Sequence, residues 1–400
     1  MLKRAFLSMC ILLLLACVVQ AAAMRKGPYL FYPGENTEMT VLWQLHGPDP
    51  VVCTLEWGLD ETYGSVITSN EYGDDHQHKH TIDNLVPGSK YYYQVTAGED
   101  EYVGTFFAAP DDSAETLKFL AYGDTRTYPT DHNKVCSKMV DAFVADEGYQ
   151  TFTLLSGDFV GSGTSEEDWD IEYFGGVGPG YYYDDDGNDV DPNYYWDTSS
   201  MLANLPINAC VGNHEALSQT LFPKYWPYPF VEGFYWSFEY GPALFVVIDQ
   251  YRSARLTDKG PKAHNQLPWL ENTLKKSDKE WKFIVLHEPG YSAGGGHDDD
   301  VDVQELVQPL CLEYGVDIVF GGHNHYYARC VADGVQHLTL GGGGAPLREP
   351  EPDYSEYVVY CEMVHHFGKV AIDGNILSFE AISADDGSVI DSFTISHASP

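Results

Sequence analysis

Leu117-Lys-Phe-Leu-Ala-Tyr-Gly-Asp-Thr-Arg126 decides the reading of this chain. A run of mostly apolar residues, short enough for one strand buried on both faces, stops at a glycine and a carboxylate. The same grammar recurs further along. Phe152-Thr-Leu-Leu155 runs into Gly157-Asp158, Ile207-Asn-Ala-Cys-Val211 into Gly212-Asn-His-Glu215, Phe283-Ile-Val-Leu286 into His287, and Val316-Asp-Ile-Val-Phe320 into Gly322-His-Asn-His325. Helical spacing appears between them, as in Val135, Met139, Val140, Phe143 and Val144. Strands alternating with helices predict an α/β layered domain over 111–400. Open α/β sheets gather ligands beyond the carboxyl ends of their strands, so the clusters are expected in one crevice.

Singly, each cluster is weak: Gly-Asp is usually a turn, and a histidine after a strand is usually a cap or a core residue. Together they offer carboxylate, amide and imidazole donors and no thiolate, the set that suits hard and borderline divalent ions.

Ahead of Pro110 the pattern is different. Met39-Thr-Val-Leu-Trp43, Val52-Cys-Thr-Leu-Glu-Trp57, His80-Thr-Ile82, Tyr91-Tyr-Tyr-Gln-Val95 and Thr105-Phe-Phe107 are short β-branched and aromatic runs separated by turn residues. They predict an all-β sandwich over 24–110. Leu85-Val-Pro-Gly-Ser-Lys-Tyr91 has the form of a tyrosine corner, in which a Tyr near a strand start bonds back to the backbone. The Gly-, Tyr- and Asp-rich stretch 161–200 reads as an acidic surface insertion beside the site, and Val370 to Ile395 as closing strands.

Lys3 and Arg4, the apolar run from Ala5 to Val19 and the small residues Ala21-Ala22-Ala23 form a signal peptide over 1–23 and predict a secreted or periplasmic protein. A lipoprotein anchored through Cys17 is the competing reading. No apolar run is long enough for a membrane span. The net charge of −38 argues against a nucleic-acid surface. The six cysteines of the remaining chain show no CxxC spacing; they could pair outside the cytoplasm or stay as buried thiols, and no bridges are assigned. His76, His78, His80, His365 and His366 are expected to be solvated.

With these motifs in this order, the chain resembles the calcineurin-like metallophosphoesterases, and within them the purple acid phosphatases, which carry a fibronectin type III-like domain ahead of the catalytic one. Gly27-Pro-Tyr-Leu30, Tyr235-Trp-Ser-Phe238, Pro268-Trp-Leu270 and Gly341-Gly-Gly-Gly-Ala345 match further landmarks of that family. The resemblance implies two metal ions, with Asp124 and His325 on one, Asp158 bridging, and Asn213, His287 and His323 on the other. It also implies His214 as proton donor and a hydroxide between the ions as nucleophile. The partner would be a small phosphoester, a phosphomonoester first and a phosphodiester as the alternative. An exported binding or adhesion protein with structural metals is the reading from another class; His214 argues against it, because a structural site needs no proton donor.

Two departures from the family concern the first ion. Gly161 stands where purple acid phosphatases have a tyrosine, so no Fe(III)-Tyr chromophore is expected. Arg126 stands where other calcineurin-like enzymes have a histidine. Divalent Mn, Zn, Fe or Ca are the candidate ions. Arg126 reads either as a clamp on a substrate phosphate or as a salt-bridge partner. Tyr128 and His132 are replacement ligands or ordinary residues at a helix start.

Overall fold

Residues Met24 to Phe107 form two antiparallel sheets, in a computed structural model that describes residues 24–47, 53–73, 75–175, 196–218, 220–251 and 266–398. The segment 1–23, with both readings of its cleavage site, lies outside the described residues. One sheet orders the strands Met24–Phe31, Met39–Leu45 and Gln77–Ile82. The other orders Ser65–Ser69, Cys53–Gly58, Lys90–Ala97 and Asp100–Phe107. Along Lys90–Ala97 burial alternates strictly, placing Tyr91, Tyr93, Val95 and Ala97 in the core with Leu30, Val41, Trp43 and Phe106. The tyrosine corner is present, with the Val86 N–H donating to the Tyr91 hydroxyl at 2.9 Å.

The rest of the chain builds two mixed sheets. The six-stranded sheet runs Ile207–Ala209, Thr153–Leu155, Thr116–Tyr122, His366–Asp373, Ile376–Ser383, Val389–Ser396, and its first three strands are parallel. The seven-stranded sheet runs Trp236–Tyr240, Ala243–Val247, Trp281–Val285, Ile318–Gly321, Val335–Leu340, Tyr327–Ala332, Val358–Glu362. The two sheets face each other. Phe245, Val247, Phe283, Val285 and Phe320 share a core with Phe119 and Phe152, and the Phe119 and Phe245 rings are 5.3 Å apart. The alternate residues Leu244, Val246, Ile284 and Val319 point the other way, onto Leu270, Leu274 and Cys311 of helices Gln266–Lys276 and Gln308–Tyr314. These strands are apolar on both faces because each face has a layer to meet. This all-β sandwich followed by an α/β layered domain is the expected fold class.

The structure corrects two expectations. The stretch 161–200 is not superficial at its start: Trp169, Tyr173 and Phe174 are buried, and Tyr173 packs its ring 4.8 Å from Phe159. Trp169 and Tyr173 lie four residues apart on one helical turn, a stripe that the Gly- and Asp-rich composition masks. The acidic run in 176–195 lies outside the described residues. Nor are the sequence-clustered histidines all solvated: His78 stacks on Trp43 at 5.1 Å, and His365 and His366 are buried. A strand position that faces a sheet interior overrides the polarity of its side chain.

The sandwich and the layered sheets share aromatic contacts. Tyr29 lies 4.9 Å from Phe174 and 5.1 Å from Trp226, and Tyr32 lies 5.1 Å from Tyr240.

Candidate metal centre

Each cluster follows the end of a strand. Thr116–Tyr122 presents Asp124, Thr153–Leu155 presents Asp158, Ile207–Ala209 presents Asn213 and His214, Trp281–Val285 presents His287, and Ile318–Gly321 presents His323 and His325. Asp124, Asp158 and His323 have φ of 56°, 55° and 68°, the left-handed region that non-glycine residues rarely occupy. Such strain persists only where neighbours over-determine it. Here Asp124 N donates to Gly157 O, and Thr125 N to Asp158 O, both at 3.0 Å. The glycines are steric requirements: a Cβ on Gly212 would overlap Asp158, and one on Gly322 the Asp124 carboxylate.

The structure brings all six expected ligand residues together. Asn213 Oδ1 lies 3.0 Å from His287 Nε2 and 3.1 Å from His323 Nδ1, while Asp158 Oδ1 lies 3.3 Å from His287 Nε2. His325 Nε2 is 3.6 Å from Asp124 Oδ1. Donor atoms of Asp124, Asp158 and His287 all fall within 4.8 Å of one another.

Hydrogen bonding fixes the tautomers, and with them the fit to a metal ion. His287 Nδ1 is 2.6 Å from Ser156 O, which can only accept, so Nδ1 carries the hydrogen and Nε2 presents a lone pair. That lone pair, the Asn213 oxygen and Asp158 Oδ1 are acceptors that converge on His323 Nδ1, which lies 3.1 Å from Asn213 Oδ1 and 3.2 Å from His287 Nε2 and is a lone-pair donor to a metal in one of its two neutral tautomers. A divalent ion would satisfy all four at once, so this position fits a metal.

Electrostatics agree. Burial opposes charge on His287, but Asp158 and Asp124 outweigh it and raise the imidazole to about 10. The field that would hold a proton there would also hold a cation. Burial pushes Asp124 up to about 7, whereas for Asp158 the burial penalty is overcome by His287 and His214 and its carboxyl sits well below the usual range.

The other position is different. His325 Nδ1 donates to Pro346 O at 2.7 Å, leaving Nε2 as an acceptor, and Arg126 Nη2 donates to it at 3.2 Å. Arg126 Nε also donates to Asp158 Oδ2 at 3.3 Å. The donors facing this position are thus engaged by a guanidinium, and they do not fit an ion as the first set does. Tyr128 stands at the N-cap position of helix Pro129–Ala145 with no side-chain capping bond, and His132 is buried between the rings of Tyr122 and Tyr173.

His214 stands at the rim. Its Nδ1 donates to Gly161 O at 2.6 Å, which turns Nε2 toward the cluster, 3.7 Å from Asp158 Oδ2, with the side chain 27% exposed.

Several supporting residues were not singled out from the sequence. The Glu215 carboxylate accepts N–H groups from Asp158, Val160 and Gly212. Gln250 Oε1 accepts the His287 N–H at 2.9 Å, and the His297 ring stacks 3.9 Å from that of His323. Glu215 stood inside a recognised cluster but was given no role there. A histidine in the loop after Gly294-Gly295-Gly296 carries no such signal.

Residues 117–327, more than half of the chain, match the calcineurin-like phosphoesterase family, and the chain belongs to that family. It is 27% identical over 307 residues to Probable purple acid phosphatase 20 of Arabidopsis thaliana, covering 68% of this chain and 63% of that protein. It is 24% identical over 357 residues to acid phosphatase type 7 of Homo sapiens, covering 80% and 75%. The chain therefore spans less than two thirds of the length of the Arabidopsis protein. Among solved structures, purple acid phosphatase PPD1 from yellow lupin (Lupinus luteus) seeds superimposes with a TM-score of 0.71 at 20% identity, over 93% of this chain and 74% of that one. The structure of PhoD gives 0.67 at 14% identity, over 94% and 91%. The resemblance to purple acid phosphatases read from the sequence is borne out.

Proposed function

We propose that this protein is an exported, metal-dependent hydrolase of small phosphate monoesters. The observation that carries the reading is a buried donor cluster built from separate strand ends with a partly open histidine, His214, at its rim. Asp158, Asn213, His287 and His323 would hold a divalent ion drawn from Mn, Zn, Fe or Ca, and Asp124, Asp158 and His325 are the family's donors toward a second. A bound divalent ion supplies a Lewis acid for phosphoryl oxygens and lowers the pKa of adjacent water.

The remaining roles belong to side chains. His214, fixed through Nδ1, carries its mobile proton on Nε2 and delivers it to the departing alkoxide. Arg126 adds a permanent positive charge that attracts a phosphate against the acidic surface. Residues 24–110 act as scaffold and 111–400 as the catalytic unit. The N-terminal apolar run supports export, with the Cys17 anchor as the competing route.

Hydrolysis of p-nitrophenyl phosphate and bis-p-nitrophenyl phosphate by the metal-loaded protein tests the reading. The monoester is expected to be the better substrate. Preference for the diester would make the protein a phosphodiesterase, and inactivity on a broad phosphoester panel would favour the binding-protein reading.

A further inference from the structure

At neither of the two positions that depart from the family does this chain offer a first metal ion a ligand. Where a histidine would reach in, Arg126 does so instead, with its side chain 15% exposed. Its Nε donates to Asp158 Oδ2 at 3.3 Å, its Nη2 to the lone pair of His325 Nε2 at 3.2 Å, and its Nη1 to Thr127 Oγ1 at 3.1 Å. The guanidinium is planar, permanently charged and cannot lose a proton to accommodate a neighbouring cation.

At the other position Gly161 has no side chain to offer, and the Glu172 carboxylate lies beside the place where one would start. A Cβ on Gly161 would lie 3.1 Å from Glu172 Oε1 and 3.4 Å from Oε2, so a side chain there meets that carboxylate. Glu172 Oε2 accepts the Thr127 N–H at 2.9 Å and the Gly161 N–H at 2.5 Å. It therefore ties down the loop that aims Arg126, where Thr127 has a φ of 79°. The two positions are linked: the Glu172 carboxylate bonds the backbone N–H groups of both Gly161 and Thr127, and so joins the glycine to the loop that carries the arginine.

We propose that the Arg126 guanidinium takes the place of the first metal ion, so that the chain carries one resident divalent ion, at Asp158, Asn213, His287 and His323. This inference rests on the metal-dependent reading above. Counting only the groups that face one another there, one divalent ion and the Arg126 guanidinium outweigh the carboxylates of Asp124 and Asp158, so local attraction for a phosphate is retained without a second ion.

The test is metal stoichiometry rather than activity. The full-length protein is loaded with Mn(II), desalted, and assayed by elemental analysis and by electron paramagnetic resonance. About one ion per chain with an isolated-ion signal is expected for the unmodified protein, and about two with a coupled-pair signal for Arg126→His. Arg126→Ala serves as a second variant, with increased Mn(II) occupancy expected. About two ions in the unmodified protein would overturn the inference and leave the hydrolase reading standing. About one ion in the unmodified protein and in both variants would also overturn it, because something other than Arg126 would then limit occupancy. No bound metal in any of them would remove the metal-dependent reading itself, and this inference with it.

Discussion

The Glu215 carboxylate accepts the backbone N–H of Asp158 at 3.0 Å, and it thereby holds in the left-handed region the residue on which both metal positions converge. Its oxygens also take the N–H groups of Gly212 and Val160. Glu215→Gln turns one acceptor into a donor facing donors. A loss of about 1–3 kcal/mol is expected by thermal or urea denaturation. Metal affinity, measured by chelator competition, should weaken by roughly 10–100-fold. If both stay unchanged, Glu215 does not position Asp158.

His214→Ala separates proton donation from binding. With an alkyl phosphate, whose alkoxide needs a proton to depart, kcat should fall by about 10²–10⁴-fold. With p-nitrophenyl phosphate, whose leaving group is stable as an anion, the fall should be much smaller. Equal losses on both substrates would show that His214 acts otherwise.

Asn213→Leu keeps the approximate volume of the side chain and removes the oxygen that faces both His287 and His323. Elemental analysis after dialysis should show depleted metal, with the far-ultraviolet circular dichroism unchanged. Full retention of the ion would take Asn213 out of the ligand set.

Acid should destabilise the protein through buried histidines that are not among the expected metal ligands. Burial lowers His132 to about 4, and it lowers His366 to about 4 as well. The unfolded chain, with histidines near 6.5, binds more protons than the native one between those values, so stability is full above pH 6.5 and is lost as the pH falls toward 4. Each group contributes roughly 3 kcal/mol at most across that window. The melting temperature should drop from pH 7 to pH 5, and less steeply in His132→Phe. A flat profile over that range would contradict the assignment.

The net charge of −38 sets the field around the centre. For an anionic phosphoester, raising the salt from very low to about 0.15 M should increase kcat/KM by screening long-range repulsion. A steep decrease with the metal still bound would show instead that local attraction dominates capture.

How much of this was legible in the sequence follows from the range of the interactions. The strand ends and their ligand residues could be read because an apolar run and the polar cluster after it are adjacent in the chain. The tyrosine corner was legible for the same reason, with Val86 and Tyr91 five residues apart. The presence of Arg126 was legible, but its direction was not, because its partners Asp158 and His325 come from other strands. Glu172 was hidden further still, inside a stretch whose glycine and aspartate content suggested surface. The burial of Trp169 and Tyr173 there depends on Phe159 and Trp226, which lie outside that stretch.

The rings of Tyr29 and Tyr32 have a practical consequence for anyone dividing this chain at Pro110. They belong to the same buried cluster as Phe174, Trp226 and Tyr240, so the first strand of the sandwich is a wall of the catalytic body. A fragment beginning at residue 111 would open a greasy window beneath the loops that hold Asp158 and Glu172. Such a fragment is expected to be sticky and hard to keep in solution, whatever its metal content.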